Sequence, residues 1–440
     1  METGNSQDSI TRKVSYEKDT QIEIFNHTYR EIWKLDLNAA SKGRNTWCKL
    51  KSEIHQVFAR AILPFHPASG SIVQFPSSSS PDDNSSTTFI YSGGSDYPFH
   101  LVSNDIYALK INSLQNTYKC HKIAELPFQI YLHSSCLHLN IGEQGGPPKL
   151  FIFGGMKRLD ARQSGYNLLE QSCNQFYEVD LNSKAVKTLE SPGISCMRTN
   201  MICYENKIYM LPSSHEIKNV CTDFLINFIH VYDIKRGIWS KQELFQDDAK
   251  DLDYPLVIYA SSREAFFHRD AFGSRERRNP TSKTILMNKP LSRWRHAHAT
   301  FQNKFLIISG GQFCYVQTDH EESPISLAQY YLARNSDLTR NFLEKFTERF
   351  YFKDIWSLDL ETFKWTFKGF LPRGLSFHSQ VVTTKGKLYN FGGKVSNMNF
   401  EGTADKILER SNQCYELDLG LQVEKLTDIC ERVIFKSATN

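Results

Sequence analysis

Short runs of alternating apolar and polar residues recur along the chain, and each ends in a polar turn. The clearest, KDIWSLDLETFKW (353–365), has an early aromatic residue, then Asp359, then Trp365 six positions later. Alternation with a period of two is typical of a β-strand with one buried face, and the polar stretch predicts a turn into the next strand. Further copies begin near residues 31, 105, 175, 228 and 413. In the copy that begins at residue 105, Lys110 takes the place of the Asp.

Paired glycines mark a second strand in most copies. Four apolar runs end in Gly-Gly, namely FIYSGG (89–94), KLFIFGG (149–155), FLIISGG (305–311) and KLYNFGG (387–393). The run KIYMLPS (207–213) has lost its glycines. Glycine tolerates positive φ and a close approach of two backbones, so each pair predicts a place where blades converge. With a preceding segment that carries Arg or His, each unit amounts to four short strands.

Repeats of about 50 residues with a diglycine are typical of kelch propellers. We therefore predict an all-β fold, a kelch β-propeller of six blades over residues 21–420, in which the aromatic residues of the outer strands pack between sheets. The copy near residue 31 lacks a convincing first strand and a diglycine. A seventh, degenerate blade within 246–292 is the alternative.

Several segments interrupt the repeat. Residues 1–20 are a polar tail, and the low-complexity stretch 76–88 predicts a disordered loop. The insert 246–292 is acidic and then basic, which is typical of a solvated loop; a binding role is the alternative. In the insert 326–350, apolar side chains recur every four residues, which predicts a helix in blade five that packs on the propeller rim; a stripe held out for a partner is the alternative. These side chains are Leu338, Phe342, Phe346 and Phe350.

Composition narrows the function classes. Charged residues make up 23% of the chain and the net charge is +4, which is too mild to indicate nucleic acid. Neither a signal-like apolar core nor an apolar run long enough for a membrane helix is seen in the sequence. The ten cysteines show no zinc spacing, so we expect reduced thiols, a cytoplasmic or nuclear protein, and no metal or cofactor.

Sequence signals for catalysis are weak. The chain has no Gly-rich phosphate loop, nucleophile elbow or metalloprotease motif, so we expect that it is not an enzyme. His296 and His298 are two residues apart in a predicted strand, so their side chains share one face of it. We interpret them as residues of that face rather than as metal ligands.

Arginines near the first strands are better candidates for a site. We predict that Arg198, Arg295 and Arg373 occupy equivalent places in blades four, five and six, where they converge on the channel. Convergent guanidinium groups suit a carboxylate or a phosphate. The alternative is local pairing with carboxylates or carbonyls. His296 and His378 complete the candidate substrate-binding set.

Three stretches carry a resemblance to a known family. They are DIWSLDLETFKW running on to FHSQVVTTKGKLYNFGG, GGSDYPFHLVSNDIY (93–107) and YREIWKLDL (29–37). Over about residues 29–436 the chain resembles the kelch-domain substrate receptors of cullin–RING ubiquitin ligases. The resemblance implies that the propeller pocket binds a substrate's C-terminal tail and that Arg holds its carboxylate. It also implies that elongin B/C and a cullin bind a C-terminal helical box.

The C-terminal segment 421–440 has a matching pattern. Leu426, Cys430 and Ile434 are spaced four apart, and Val433 lies on the same stripe, so the spacing predicts a short helix. Leu-x-x-x-Cys followed by an aliphatic residue resembles the elongin-binding box, which would bind as a helix in a groove. A closing strand of the propeller is the alternative.

The expected function is therefore that of the substrate-recognition subunit of a cullin–RING ligase. Two other classes stay open: a kelch scaffold that binds a signalling enzyme or a cytoskeletal partner, and a divergent propeller enzyme.

Overall fold

The structure is a computed structural model, and strands are its only regular elements among the described residues. The described residues are 33–35, 47–49, 51–52, 71–75, 86–95, 102–112, 114–139, 146–158, 170–194, 196, 199–211, 226–246, 255–257, 284–286, 289–293, 295–302, 304–316, 325–326, 347–383, 385–396, 408–410 and 414–420. The chain divides into two compact units, Met1–Ser191 (unit 1) and Pro192–Asn440 (unit 2), and each is described by itself.

Unit 1 contains two four-stranded antiparallel blades, called two and three after their repeat copies. Blade two consists of Ser71–Phe75, Ser86–Ser92, Asp105–Asn112 and Thr117–Glu125. Blade three consists of Ser134–His138, Lys149–Phe153, Phe176–Asp180 and Val186–Leu189. Smaller ladders join Trp33–Leu35 to Trp47–Lys49, Lys51–Ser52 to blade two, and Met156–Arg158 to Ile130–Tyr131 and Glu170–Ser172.

Unit 2 contains blades four, five and six. Blade four consists of Asn200–Tyr204, Lys207–Leu211, Phe228–Asp233 and Ile238–Glu243. Blade five consists of Ala297–Phe301, Phe305–Ser309, Asp354–Asp359 and Lys364–Phe370, with Phe245–Gln246 parallel to its last strand. Blade six has three described strands, Ser379–Val382, Lys387–Phe391 and Cys414–Asp418.

Three smaller sheets accompany the blades of unit 2. Gln312–Val316 pairs with Ile325–Ser326 and Thr347–Tyr351, Lys394–Ser396 pairs with Leu375–Ser376 and Leu408–Arg410, and Pro255–Val257 pairs with Thr284–Leu286.

The described residues thus form an all-β propeller fold with five blades. The repeat copy near residue 31 contributes only the two-stranded ladder Trp33–Leu35 with Trp47–Lys49. Within 246–292, the strands described beyond Gln246 are Pro255–Val257 and Thr284–Leu286, which form a two-stranded pair rather than a four-stranded sheet. The predicted count of six blades stays a prediction.

One turn geometry explains the spacing of Asp and Trp in the repeat. The Asp359 carboxylate accepts the backbone N–H of Glu361 at 2.8 Å, and Phe363, four residues after Asp359, has a φ of 58°. Leu358, just before the Asp, pairs with Trp365 across the hairpin. Asp and Asn favour such turns because their side chains bond the backbone two residues later.

The same turn corrects the alignment of the copy in blade two. Asn112, not Lys110, bonds the backbone N–H of Leu114 at 3.1 Å, and Ile111 pairs with Tyr118. The predicted alignment put the turn residue of blade two at Lys110, two positions before Asn112. The prediction expected Asp at this turn and did not consider Asn.

Apolar side chains pack between adjacent blades of each unit. In unit 2, Trp365 is 1% exposed and packs in one cluster with Ile229, Leu306 and Trp356 from blades four and five. A second cluster joins blades five and six, and a third joins blades two and three. The prediction that an outer-strand aromatic residue packs between sheets is confirmed for Trp365.

Two predicted interruptions are wrong at their ends. The helix predicted for 326–350 would include Phe350, but this residue lies in the strand Thr347–Tyr351, and Ser326 ends another strand. The loop predicted for 76–88 ends earlier, because Ser86–Ser92 is a strand of blade two. Residues 327–346, the N-terminal tail 1–20 and the segment 421–440 lie outside the described residues.

Candidate functional site

A short loop of shared geometry precedes the first strand of blades three, five and six. We call it the lead-in loop, and it spans residues 130–133, 293–296 and 375–378, of which Trp294 lies outside the described residues. Its third residue has a left-handed backbone in each case: φ is 57° for Leu132, 58° for Arg295 and 58° for Phe377. Its fourth residue is a histidine. Left-handed φ is uncommon for side chains other than glycine, so this recurring strain indicates a loop held tightly by its surroundings.

The histidine of the lead-in loop joins one blade to the next. His133 Nε2 lies 2.8 Å from the hydroxyl of Ser92 in the preceding blade, and His378 Nε2 lies 2.9 Å from that of Ser309. Burial lowers the pKa of both imidazoles to about 4, so both rings are neutral at neutral pH. The two pairs are the same structural joint in two units.

The paired glycines make room for this joint, as predicted. A Cβ on Gly310 would lie 2.6 Å from the Leu375 carbonyl oxygen and 2.8 Å from His378 Cε1. A Cβ on Gly393 would lie 2.7 Å from the Ser376 carbonyl oxygen and 2.8 Å from His378 Cβ. Real Cβ atoms do not make such contacts. The histidine therefore fits between two blades only because the backbone positions on both sides of it are glycines.

Blade four departs from this pattern because its diglycine is lost and Leu211 stands where the other blades carry Ser or Phe before Gly-Gly. The neighbouring His296 instead contacts the Asn200 amide through Nε2. Burial, followed by the charge of Arg293, holds the pKa of His296 well below its usual value.

A serine hydroxyl in contact with a histidine ring, as in the Ser309–His378 pair, is also the arrangement of a catalytic nucleophile and its base. The Ser309 hydroxyl also contacts the amide oxygens of Asn390, at 2.8 Å, and of Gln380. A hydroxyl carries one proton, so Ser309 donates to an amide oxygen while the His378 N–H donates to Ser309. Since Ser92 and His133 form the same pair in the other unit, we assign both to blade joining rather than to catalysis.

A cluster of two cations around one aromatic ring lies beside this joint. Arg295 Cζ is 4.0 Å from the centroid of the Phe377 ring, and Lys394 Nζ is 5.2 Å from the same centroid. The Arg295 carbonyl accepts the Phe377 backbone N–H at 3.0 Å. All three residues are partly exposed. We call this group the cation cluster; it combines positive charge with an accessible ring, which suits a carboxylate or a phosphate.

The predictions for the three arginines have different outcomes. Arg295 belongs to the cation cluster, and Arg198 lies outside the described residues. The predicted equivalence of Arg373 is wrong, because Phe377 holds the place that Arg295 holds in blade five. Arg373 is exposed and lies four residues earlier. The segment before the blade-six strand is longer than the sequence pattern suggested, and counting from the histidine gives the correct alignment.

The predicted histidines lie in the joints rather than on an open surface. His296 is 8% exposed and His378 is 7% exposed. Each directs Nε2 to a partner in the adjacent blade. Whether either contacts a substrate stays a prediction, as do the partner-binding roles of Leu426, Cys430, Val433 and Ile434, which lie outside the described residues.

Sequence reasoning missed a buried ion pair. Arg293 and Asp354 are 0% exposed, and two guanidinium nitrogens donate to the two carboxylate oxygens at 2.7 Å each. Arg293 also donates to the carbonyls of Leu291 and Gly310, and its Cζ lies 4.3 Å from the centroid of the Phe352 ring. The Asp in KDIW, at the start of the third strand, was the signal: Asp105 in NDIY holds the same place in blade two.

No group of three or more His, Cys, Asp or Glu side chains among the described residues is placed to hold a metal ion. The described part of the chain has no helix of the length and apolarity needed to cross a membrane.

No family model matches the chain. No curated protein matches it either. Among solved structures, the chain is similar to one titled "Structure of YjhT", with a TM-score of 0.46 and 12% identity over 88% of this chain and 91% of that chain.

Proposed function

We propose that this protein is a protein-interaction module that recognises the C-terminal tails of substrate proteins, as the recognition subunit of a cullin–RING ubiquitin ligase. The observation that carries the proposal is the cation cluster, in which Arg295 and Lys394 approach one ring, that of Phe377. A terminal carboxylate is an anion that every protein chain carries, and an arginine binds it with two parallel hydrogen bonds. The sequence resemblance to kelch-domain receptors supports the same substrate class.

Binding of tails can be tested with random decapeptide pools that end either in a free carboxylate or in an amide. A charge-assisted hydrogen bond contributes about 1.5–3 kcal/mol, and 1.4 kcal/mol corresponds to about tenfold. We expect immobilised protein to retain the free-acid pool at least about tenfold better than the amidated pool. Arg295→Ala should remove this difference.

Arg236→Ala is the matched control. Arg236 is an exposed arginine whose side chain lies 3.9 Å from Asp233 at a hairpin turn, far in sequence from the cluster. Its loss should leave retention of both pools unchanged. Equal retention of free-acid and amidated pools by the wild-type protein would refute the carboxylate site.

The link to a ligase has its own test, which is co-purification with elongin B/C. If the segment 421–440 is an elongin-binding box, Leu426→Ala and Cys430→Asp should abolish co-purification, because both residues would enter an apolar groove. Asp428→Ala, off the apolar stripe, should not. Elongin binding that survives the first two changes would place the box elsewhere. A stable complex with a signalling enzyme or a cytoskeletal protein, without elongin, would favour the scaffold function instead.

A further inference from the structure

Blades two to five each have a fourth strand, whereas the described strands of blade six number three. Cys414–Asp418 pairs with Lys387–Phe391 on one side, and no described strand pairs with its other side. In blade three, the equivalent strand Phe176–Asp180 has Val186–Leu189 on that side. We call the outer side of Cys414–Asp418 the blade-six edge. Such an edge is a template on which a further strand can pair.

The register shows which backbone groups point to the blade-six edge. The backbone N–H of Leu419 donates to the Gly386 carbonyl at 3.1 Å, which extends the ladder between Cys414–Asp418 and Lys387–Phe391 by one pair. In an antiparallel ladder, successive residues direct their backbone groups alternately to the partner strand and away from it. Since Leu419 faces the partner strand, Glu416, three residues earlier, faces away, and its N–H and C=O groups point to the edge.

The turn after the edge strand begins like the turn that leads to the fourth strand of blade three. The Asp418 carboxylate accepts the Gly420 backbone N–H at 2.9 Å, and Asp180 accepts the N–H two residues later at the same distance. In blade three, this turn returns the chain along the third strand. Gly420 has a φ of 61° two positions after the Asp, whereas the left-handed residue of blade three, Lys184, comes four positions after it. The turn of blade six is therefore tighter, and a returning strand would begin earlier.

The side chain of Leu417 shows what such a strand would cover. Leu417 packs against the cluster between blades five and six but is only partly buried. The equivalent Val179 of blade three is 0% exposed, and it pairs with Val186 across the hairpin. Three residues of blade six lie near the place of Val186, namely Gln422, Val423 and Glu424. Only the valine is apolar, and a turn shorter by one residue brings it opposite Leu417.

We propose that the blade-six edge is a docking site for residues 421–425 of this chain, which add a fourth strand to blade six with Val423 opposite Leu417. Five residues suffice, because the fourth strand of blade three, Val186–Leu189, has four. In a strand, Leu421 and Val423 share one face, toward the apolar cluster, while the polar residues between them face away.

The docked strand leaves the candidate elongin-binding residues free of the sheet. Leu426, Cys430 and Ile434 all follow residue 425. The inference therefore holds whether or not these residues bind elongin, and it does not depend on the proposed recognition of substrate tails. Failure of either binding test would leave the expectations below unchanged.

The test is amide hydrogen exchange of the full chain, resolved to single residues. With the strand docked, the Glu416 amide has an acceptor and should exchange at least about tenfold more slowly than in an unstructured peptide of the same sequence. Val423→Asp should speed this exchange about tenfold, because loss of the apolar contact favours opening of the strand. The Leu417 amide faces Lys387–Phe391 and should keep its protection. Gln422→Asp adds the same charge on the opposite face and is the matched control, with no change expected at Glu416.

The outcomes decide the proposal. Exchange of the wild-type Glu416 amide at the rate of an unstructured peptide overturns it. Protection of Glu416 that rises with protein concentration also overturns it, because a second copy of the chain then occupies the edge. Equal effects of Val423→Asp and Gln422→Asp mean that the valine does not cover Leu417, which refutes the assigned strand. If Val423→Asp also exposes the Leu417 amide, the blade itself has unfolded, and Val423→Thr, which keeps the side-chain shape, should speed exchange at Glu416 alone.

Discussion

Replacement of Asp354 by Asn isolates the energetics of the buried ion pair in blade five. One carboxylate oxygen of Asp354 accepts from Arg293 at 2.7 Å, and the other accepts from Arg293 at 2.7 Å and from the Trp356 indole N–H at 2.7 Å. An asparagine supplies one oxygen and one NH₂ group. In either orientation the NH₂ group would face an N–H donor of Arg293, and in one of them also that of Trp356, and the guanidinium would stay charged without a counter-charge.

The expected cost follows from this geometry. Removal of one partner of a buried ion pair destabilises a protein by about 3–5 kcal/mol. Arg293 keeps its bonds to the Leu291 and Gly310 carbonyls and its contact with Phe352, so we expect about 3 kcal/mol, the lower end of that range. For a domain of about 150–250 residues, this corresponds to a fall of about 6–12 °C in melting temperature.

The chain offers a matched control in blade two. Asp105 holds the equivalent place, but its partner Lys122, at 2.8 Å, has a side chain that is 40% exposed. An exposed pair contributes about 0.2–1 kcal/mol, so Asp105→Asn should cost no more than about 1 kcal/mol. The two changes thus remove the same chemical group in two environments.

Urea unfolding followed by tryptophan fluorescence measures both variants, since four of the six tryptophans lie in unit 2, at positions 239, 294, 356 and 365, and the other two, Trp33 and Trp47, lie in unit 1 with Asp105. Arg293→Met in the Asp354→Asn background should recover part of the loss, because no buried charge then remains. Equal losses for Asp354→Asn and Asp105→Asn would refute the reasoning, as would a further loss in the double variant.

Two further predictions concern the blade joints. Burial lowers the folded-state pKa values of His133 and His378 to about 4, below the usual 6.5. The neutral rings therefore contribute their full share of the free energy of unfolding above pH 6.5. This share is lost as the pH falls toward 4, by up to about 3 kcal/mol for each ring. Urea midpoints should therefore fall between about pH 7 and about pH 5, and an unchanged pH slope after substitution of both rings by Gln would contradict this. Gly310→Ala should lower the melting temperature more than Gly193→Ala, since both have positive φ but a Cβ at Gly193 meets nothing within 4 Å; equal shifts would mean that the close approach costs nothing.

The sequence alone was sufficient to predict strands and turns in the five blades that the described residues form, although the turn residue of blade two was misplaced at Lys110. Period-two alternation requires one face to be buried, and the turn residues Asn112, Asp180, Asp233 and Asp359 each bond the backbone N–H two residues later. These interactions join residues that are only a few positions apart, so a short stretch of sequence contains all the residues that form them. The paired glycines were likewise predictable as places of close approach, because no other residue fits.

The insert 326–350 shows where a local pattern is ambiguous. A spacing of four is close to one helical turn, but it is also two full repeats of a strand, so residues four apart share a face in both structures. Phe350 ends the apolar stripe and lies in a strand that pairs with Gln312–Val316. For Phe350, pairing with a segment more than thirty residues away decided between the two, and no local pattern could show it.

The candidate site depends on tertiary structure more than the strands and turns do. Arg295, Phe377 and Lys394 come from three segments, and only the packing of two lead-in loops and a diglycine brings them around one ring. Arg293 and Asp354 are 61 positions apart, and their residue types alone gave no reason to expect full burial. The sequence by itself determined the repeating strands and turns, since these rest on neighbouring residues. Which charges meet was decided by the fold, because those contacts are made between blades.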